Sequence, residues 1–210
     1  MAAIILAATV HSRPTRHRPM DCGALAAQIK AWGRELGFQK IGVAAVALSE
    51  DEQRLLDWLA AGRHGTMEDM RRHGTIRARP AELLPDTLRV VSARMDYWPS
   101  GADPGAVLAD PQLGYVSRYA LGRDYHKIVR ARLAQLAARI AAAAGSAGYR
   151  AFTDSAPILE KALARDAGLG WIGKHTNLLD GHDGSWFFLG EVFTDLPLPV
   201  DEPVSAHCGS

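Results

Sequence analysis

The sequence predicts a domain of the α/β (α+β) class, and three observations predict it. Helical and strand patterns alternate along the chain from residue 21 to residue 199. The strand candidates are short, and that from Leu88 to Met95 is rich in β-branched residues. Tyr125 to Ala144 is a long amphipathic stretch with an alanine-rich end, the pattern of a helix laid on a sheet. At 210 residues the chain is long enough to bury one sizeable core.

Taken in order, residues 1–20 open with the apolar run Ala2 to Val10, followed by Arg13, Arg16 and Arg18. A secretory signal carries its basic residues first, and the run is too short to span a bilayer. We expect a disordered or loosely attached N-terminal extension, with a start at Met20 or a short amphipathic anchor as alternatives. Ala24 to Leu36 places Leu25, Ile29, Trp32 and Leu36 at helical spacing and stops at Gly37. Lys40 to Val46 reads as a strand, Asp51 to Ala61 as a helix ended by Gly62, and Leu88 to Met95 as a second strand.

Between these last two lies a basic stretch holding Arg71, Arg72, Arg77 and Arg79. It is either a solvated connection or an anion-facing rim, since arginine presents a rigid fork to phosphate. Pro99 to Pro111 has no periodicity and is expected to be a loop. From Gly114 to His126, tyrosines 115, 119 and 125 alternate with Arg118 and Arg123, which suits either a nucleotide or ordinary packing. After the long helix, ended by Gly145, Tyr149 to Thr153 reads as a strand. Leu178 to Leu179 and Ser185 to Thr194 read as closing strands around a tight Gly181–Gly184 connection.

Composition excludes little beyond this. A formal net charge of +1 does not call for nucleic acid. Cys22 and Cys208, the only cysteines, lie far apart, as in a protein of a reducing cytoplasm with no structural disulfide. No phosphate-binding Gly-x-x-x-x-Gly-Lys-Ser/Thr loop, His-Glu-x-x-His pair or Gly-x-Ser-x-Gly elbow is present, and the histidines are dispersed.

Chemistry concentrates between Thr153 and His175. Asp154 stands where a strand ends, Pro157 suits the first turn of a helix, and Asp154 or Ser155 is expected to cap it. The helix is expected to run through Asp166 and stop at Gly168. Gly168, Gly170 and Gly173 then leave a bare floor for a large flat ligand, with Lys174 and His175 projecting from it.

Five motifs, in order, carry a family resemblance. They are Gly114-Tyr-Val-Ser-Arg-Tyr-Ala-Leu-Gly-Arg-Asp-Tyr-His126, Asp154-Ser-Ala-Pro-Ile-Leu-Glu160, Gly168-Leu-Gly-Trp-Ile-Gly-Lys-His175, Phe188-Leu-Gly-Glu191 and Leu196-Pro-Leu-Pro199. Together they resemble epoxyqueuosine reductase, the cobalamin and iron–sulfur enzyme of the last step in making queuosine in tRNA. The resemblance covers about residues 21 to 210.

It implies a nitroreductase-like cobalamin-binding domain over residues 21–199, with a mixed sheet flanked by helices. It further implies that residues 200–210 are the truncated start of a ferredoxin-like domain with [4Fe–4S] clusters. Cys208 would then be a cluster ligand only if the missing domain were present, because a cluster needs four thiolates. By resemblance Asp154 is the proton donor to the epoxide. Arg77, Ser117, Asp154, Lys161, Ile172, Gly173, Lys174, His175 and Leu189 contact the cofactor, and Tyr125 and His126 are candidates for the substrate base. The implied partners are tRNA carrying epoxyqueuosine and an electron donor acting through the missing domain, with no membrane, in a cytoplasmic monomer inactive as a truncated chain. Two rivals stay open: a cobalamin- or flavin-binding module of the same fold without epoxide chemistry, and a truncated product with no activity.

Overall fold

The computed structural model describes residues 20–98, 100–145, 149–154 and 156–208. The expected extension before Met20 and the capping role of Ser155 lie outside the described residues.

Helix α1 (Cys22–Glu35) starts at Asp21, whose carboxylate accepts from the Ala24 amide at 3.0 Å, and it buries Leu25, Ala26 and Ile29. Gly37 then turns the chain at φ 85°. Strand β1 (Lys40–Ala45) leads to α2 (Ser49–Ala60), whose first turn holds Glu50, Asp51 and Glu52, where carboxylates face the positive end of the helix. The basic stretch folds as α3 (Glu68–His73), a 3-10 segment (Gly74–Ala78) and α4 (Pro80–Leu83). After β2 (Arg89–Asp96) comes α5 (Pro104–Ala109). This corrects the expected loop: Asp103 caps a short helix through the Ala106 amide, with Pro104 preset at its first position. The long helix α6 (Tyr125–Ala144) has the expected bounds and ends at Gly145 with φ 79°.

Strand β3 (Tyr149–Phe152), helix α7 (Glu160–Asp166), the hairpin β4 (Trp171–Ile172) and β5 (Leu178–Leu179), and β6 (Phe187–Thr194) complete the described chain. The main sheet has the order β1-β2-β6-β3. Every described pairing in it is antiparallel, so the mixed sheet expected from the resemblance is corrected to an antiparallel one flanked by helices.

The sheet is buried on both faces, which is why its strands read as nearly continuous apolar runs. Strand alternation sends Val91, Ala93, Met95 and Val192 against α1 and α6, where Val129, Leu133, Leu136 and Ile140 fill one core. Val90 and Phe193 turn the other way, onto Ala162, Leu163, Ala164 and Leu169 around α7. Ser92, Arg94 and Glu191 share that second face by alternation, and all three are buried. Gly42 is needed where β1 meets the end of α7, because a Cβ there would stand 1.9 Å from the Ala167 carbonyl oxygen. Gly42→Ala is therefore expected to destabilise the domain by about 3 kcal/mol. A thermal melt unchanged within a degree would contradict that packing.

Candidate active site

Asp154 leaves the end of β3, an edge strand paired only with β6, so its side chain is reached from both faces of the sheet. Its backbone has φ 45°, in the left-handed region that aspartate enters more readily than most residues. From the α6 side, Tyr125 Oη donates to Asp154 Oδ2 at 2.6 Å, and His126 Nε2 lies 3.3 Å from the same oxygen. From the α7 side, the Asp154 amide donates to Glu160 Oε1 at 2.7 Å.

Each of these groups is held from behind. The Tyr125 ring stacks on Phe188 of β6, with centroids 3.9 Å apart and planes 4° from parallel, and lies 4.0 Å from the His126 ring. His126 Nδ1 and its backbone amide both meet Asp124 Oδ1, at 2.9 and 3.0 Å. The hydrogen bond from the imidazole holds the Asp124 carboxyl below its usual range. Burial, then the hydrogen bond to Asp154, raises the Tyr125 phenol, so it stays a donor at neutral pH.

Asp154 and Glu160 line a cleft of about 450 Å³ together with Asp69, His73, Arg77, Ala156, Pro157 and Ile158. Arg77 reaches it from the 3-10 segment and donates through Nη2 to Asp69 Oδ2 at 2.7 Å, while its buried Nε has no hydrogen-bond partner among the described residues. Arg71 pairs with Glu68, Arg72 with Asp69, and Arg79 with Glu52 and Glu82. The expected anion-facing rim is thus neutralised by its own acids.

Several expectations are corrected. Helix α7 begins at Glu160, not at Pro157, and neither Asp154 nor any other side chain caps it. The reason is tertiary: Ile158 is buried and the Leu159 amide donates to the Arg77 carbonyl, so this stretch is spent on packing against the 3-10 segment. The glycine floor is filled by the chain itself. A Cβ on Gly168 would meet the Glu202 carbonyl at 2.5 Å, one on Gly170 the Leu179 carbonyl at 2.0 Å, and one on Gly173 Leu179 Cδ1 and the His175 ring. Lys161 Nζ already donates to the Thr176 carbonyl and to Asn177 Oδ1, tying α7 to the β4–β5 turn.

The structure brings Arg77, Tyr125, His126 and Asp154 together. Lys161, Ile172, Gly173, Lys174 and His175 lie on the adjoining α7 and β4–β5 hairpin, with Lys174 and His175 exposed. Leu189 sits on β6, where its carbonyl accepts from Thr153 Oγ1 at 3.1 Å. Ser117 is exposed, ahead of the 3-10 turn at Arg118–Ala120, where the Tyr119 ring meets Tyr125 edge-on. Cys208 is exposed and free, and among the described residues no group of histidine, cysteine or acid side chains is arranged to hold a metal.

Sequence reasoning quoted Glu160 and Glu191 inside motifs but assigned them nothing. Glu191 is fully buried on β6, opposite Ser92 on β2 and Phe152 on β3, and among the described residues neither of its oxygens has a hydrogen-bond partner. An acid in an unbroken apolar strand run was the available signal. Burial, then the charge of Glu160, raises the Glu191 carboxyl well above its ordinary range, which favours its protonated form. Unfolding above the unfolded carboxylate range then releases a proton, and stability falls as pH rises toward the folded value. Glu191→Gln is expected to gain on the parent by about 1.4 kcal/mol per pH unit over that range. Denaturant unfolding at pH 5 to 7 measures it, and parallel curves would sink the assignment.

Comparison with solved structures defines the class first. Residues covering 90% of this chain superpose on 50% of an epoxyqueuosine reductase crystal structure, at TM-score 0.77 and 23% identity. An epoxyqueuosine reductase solved with an epoxyqueuosine-modified tRNA stem loop matches at TM-score 0.76 and 22% identity, over 90% of this chain and 50% of that one. A reductive dehalogenase, whose structure suggests a mechanism for B12-dependent dehalogenation, matches at TM-score 0.55 and 18% identity, over 91% and 22%. The fold is thus the α/β domain that epoxyqueuosine reductases share with reductive dehalogenases.

Sequence then narrows the class. The family model described as "Epoxyqueuosine reductase QueG, DUF1730" matches residues 77–155. The epoxyqueuosine reductase of Pseudomonas aeruginosa is 60% identical over 192 residues, covering 91% of this chain and 53% of its own. That of Vibrio cholerae is 59% identical over 190 residues, covering 90% and 52%. The chain corresponds to the N-terminal region of epoxyqueuosine reductases. It spans about half the length of the curated relatives it matches. No described helix is long and apolar enough to cross a membrane.

Proposed function

We propose that residues 21–199 are the cobalamin-binding catalytic domain of an epoxyqueuosine reductase, and that Asp154 is its proton donor. The observation that carries this reading is the convergence of Tyr125 Oη and His126 Nε2 on one oxygen of Asp154, at the rim of the cleft into which Arg77 faces. The residues at the cleft fit a corrinoid: the Arg77 guanidinium lining it suits an amide or phosphate of the periphery, and Ile172 and Leu189 offer apolar contact. Reduced cobalamin, when bound, supplies the electrons that open the epoxide.

The chain's own residues do the rest. Tyr125 and His126 orient the Asp154 carboxyl so that its other oxygen is left for the substrate. Asp154 gives its proton to the epoxide oxygen as that oxygen leaves, and the exposed carboxyl gains the dry surroundings this needs when cofactor and substrate cover the cleft. Trp98 and Trp186 are exposed, 4.3 Å apart, with the Arg118 guanidinium over Trp98, a stacking platform of the kind that receives unpaired tRNA bases. Cys208 is proposed as a ligand in a ferredoxin-like region. The described residues alone do not supply the four thiolates of an iron–sulfur cluster. The free thiols of Cys22 and Cys208 suit a cytoplasmic setting.

The test is anaerobic titration of the chain with cob(II)alamin, read by visible absorption and electron paramagnetic resonance. A bound, base-off species lost in Arg77→Ala is expected. No binding, either by this chain or by one of the relatives' full length, would overturn the reading.

A further inference from the structure

The stretch carrying Asp154 is held by little regular structure. Strand pairing ends at Phe152 and α7 begins at Glu160, yet Asp154 sits at φ 45°. One side-chain acceptor meets its backbone: Glu160 Oε1, 2.7 Å from the Asp154 amide. Glu160 opens α7 and reaches back six residues, as the glutamate of a capping box reaches back three. On the next layer inward stands Glu191, buried, with both oxygens unpartnered among the described residues and near enough to feel the charge of Glu160. Its cross-strand neighbour Ser92 is likewise buried, with its hydroxyl unpartnered among the same residues.

We propose that Glu160 is a positioning residue, a latch whose carboxylate fixes the backbone of the Asp154 segment and which loosens when that carboxylate takes up a proton. This rests on the reading of Asp154 as the proton donor. If the latch is made, Asp154 faces Tyr125 and His126; if it is released, the left-handed turn loses the acceptor that holds it.

The charged groups around Glu160 set where it titrates. Burial dominates, opposed by the hydrogen bond from the Asp154 amide, and the Asp154 charge adds to it while His126 and Lys161 oppose it, leaving the Glu160 carboxyl pushed up to about 7. Asp69, His73 and Arg77 face it across the cleft, Asp51 and Arg54 of α2 across the neighbouring one, and Glu191 from the sheet. Glu160 therefore passes from acid to carboxylate across neutrality, and a carboxylate accepts about twice as strongly as a neutral group.

The experiment reads the hydrogen exchange of the Asp154 amide by NMR in the chain without cofactor, corrected for the intrinsic pH dependence. Exchange is expected to slow about fivefold from pH 6 to pH 8 as the acceptor ionises. Glu160→Gln, which keeps an acceptor, is expected to hold intermediate protection with a flat profile, and Glu160→Ala to lose protection at both pH values. Equal corrected rates in the parent and Glu160→Ala overturn the latch. A parent profile as flat as that of Glu160→Gln overturns its sensitivity to protons. Cobalamin takes no part in this readout, so a failed cofactor titration refutes the proposed function and leaves the latch to stand or fall on the exchange data.

Discussion

Asp154→Asn, made in a chain of the relatives' full length, is expected to slow epoxyqueuosine reduction by about 10²- to 10⁴-fold, the usual contribution of a positioned general acid. Asparagine keeps the size of the side chain and an acceptor for the Tyr125 hydroxyl, which lies 2.6 Å from Asp154 Oδ2, so the segment has no packing reason to rearrange. What it loses is the proton. The expected signature is a large fall in single-turnover rate on an epoxyqueuosine stem loop, with cob(II)alamin affinity changed far less. A cobalamin carrier without epoxide chemistry would show no such split, and a rate within a few-fold of the parent would remove Asp154 from the reaction. Tyr125→Phe is expected to cost less, because His126 still reaches the same oxygen at 3.3 Å.

Arg94→Met is expected to produce the largest loss of stability, about 3 to 5 kcal/mol. Arg94 is 3% exposed on β2 and is bound on three sides: by Asp96 at 2.9 Å, by Asp180 at 3.0 Å, and by Asp183. Its guanidinium also lies 5.0 Å from the Phe187 ring centroid. These contacts tie the central strand to the Asp180–Gly184 turn that leads into β6, and so to the strand carrying Phe188 and Glu191. Methionine fills the space but leaves Asp180, itself largely buried, with Lys40 at 3.7 Å as its remaining cation. The effect has a pH sign. Burial works to raise the Asp180 carboxyl, but the His182 amide, Arg94 and the Asp183 amide outweigh it and hold the carboxyl below its usual range. A depressed carboxylate contributes stability above its unfolded pKa and loses it as pH falls through the folded value. The gap in melting temperature between parent and variant should therefore be widest near neutrality and close in acid; a gap that widens in acid would contradict the ion-pair account.

Much of the fold was legible because local rules and tertiary needs agreed. The bounds of α6 followed from the spacing of Leu133, Leu136 and Ile140 and from Gly145, which closes the helix in the left-handed conformation. The β5 strand and the turn into β6 likewise matched their sequence pattern. Where the two diverged, a long-range contact decided. Pro157 signals a helix start, but the backbone at Leu159 pairs with Arg77 instead, and α7 waits for Glu160. The two-residue strand β4 went unread because Gly170 and Gly173 on either side look like turn residues, whereas their missing side chains admit Leu179.

The candidate site divides along the same line. Asp154, Tyr125, His126 and Arg77 could be named from residue type and motif, since an acid, a phenol, an imidazole and a guanidinium carry their chemistry wherever they stand. Which of them meet was set by the folded chain: Tyr125 and His126 lie 29 and 28 residues from Asp154 and reach it only because β3 pairs with β6 under α6. The pairing of the arginines with acids, and the burial of Glu160 and Glu191 that moves their protons, belong to tertiary structure for the same reason. A side chain's charge state and partners depend on the dielectric and the distances around it, and those exist only once the sheet and its two helical layers have closed.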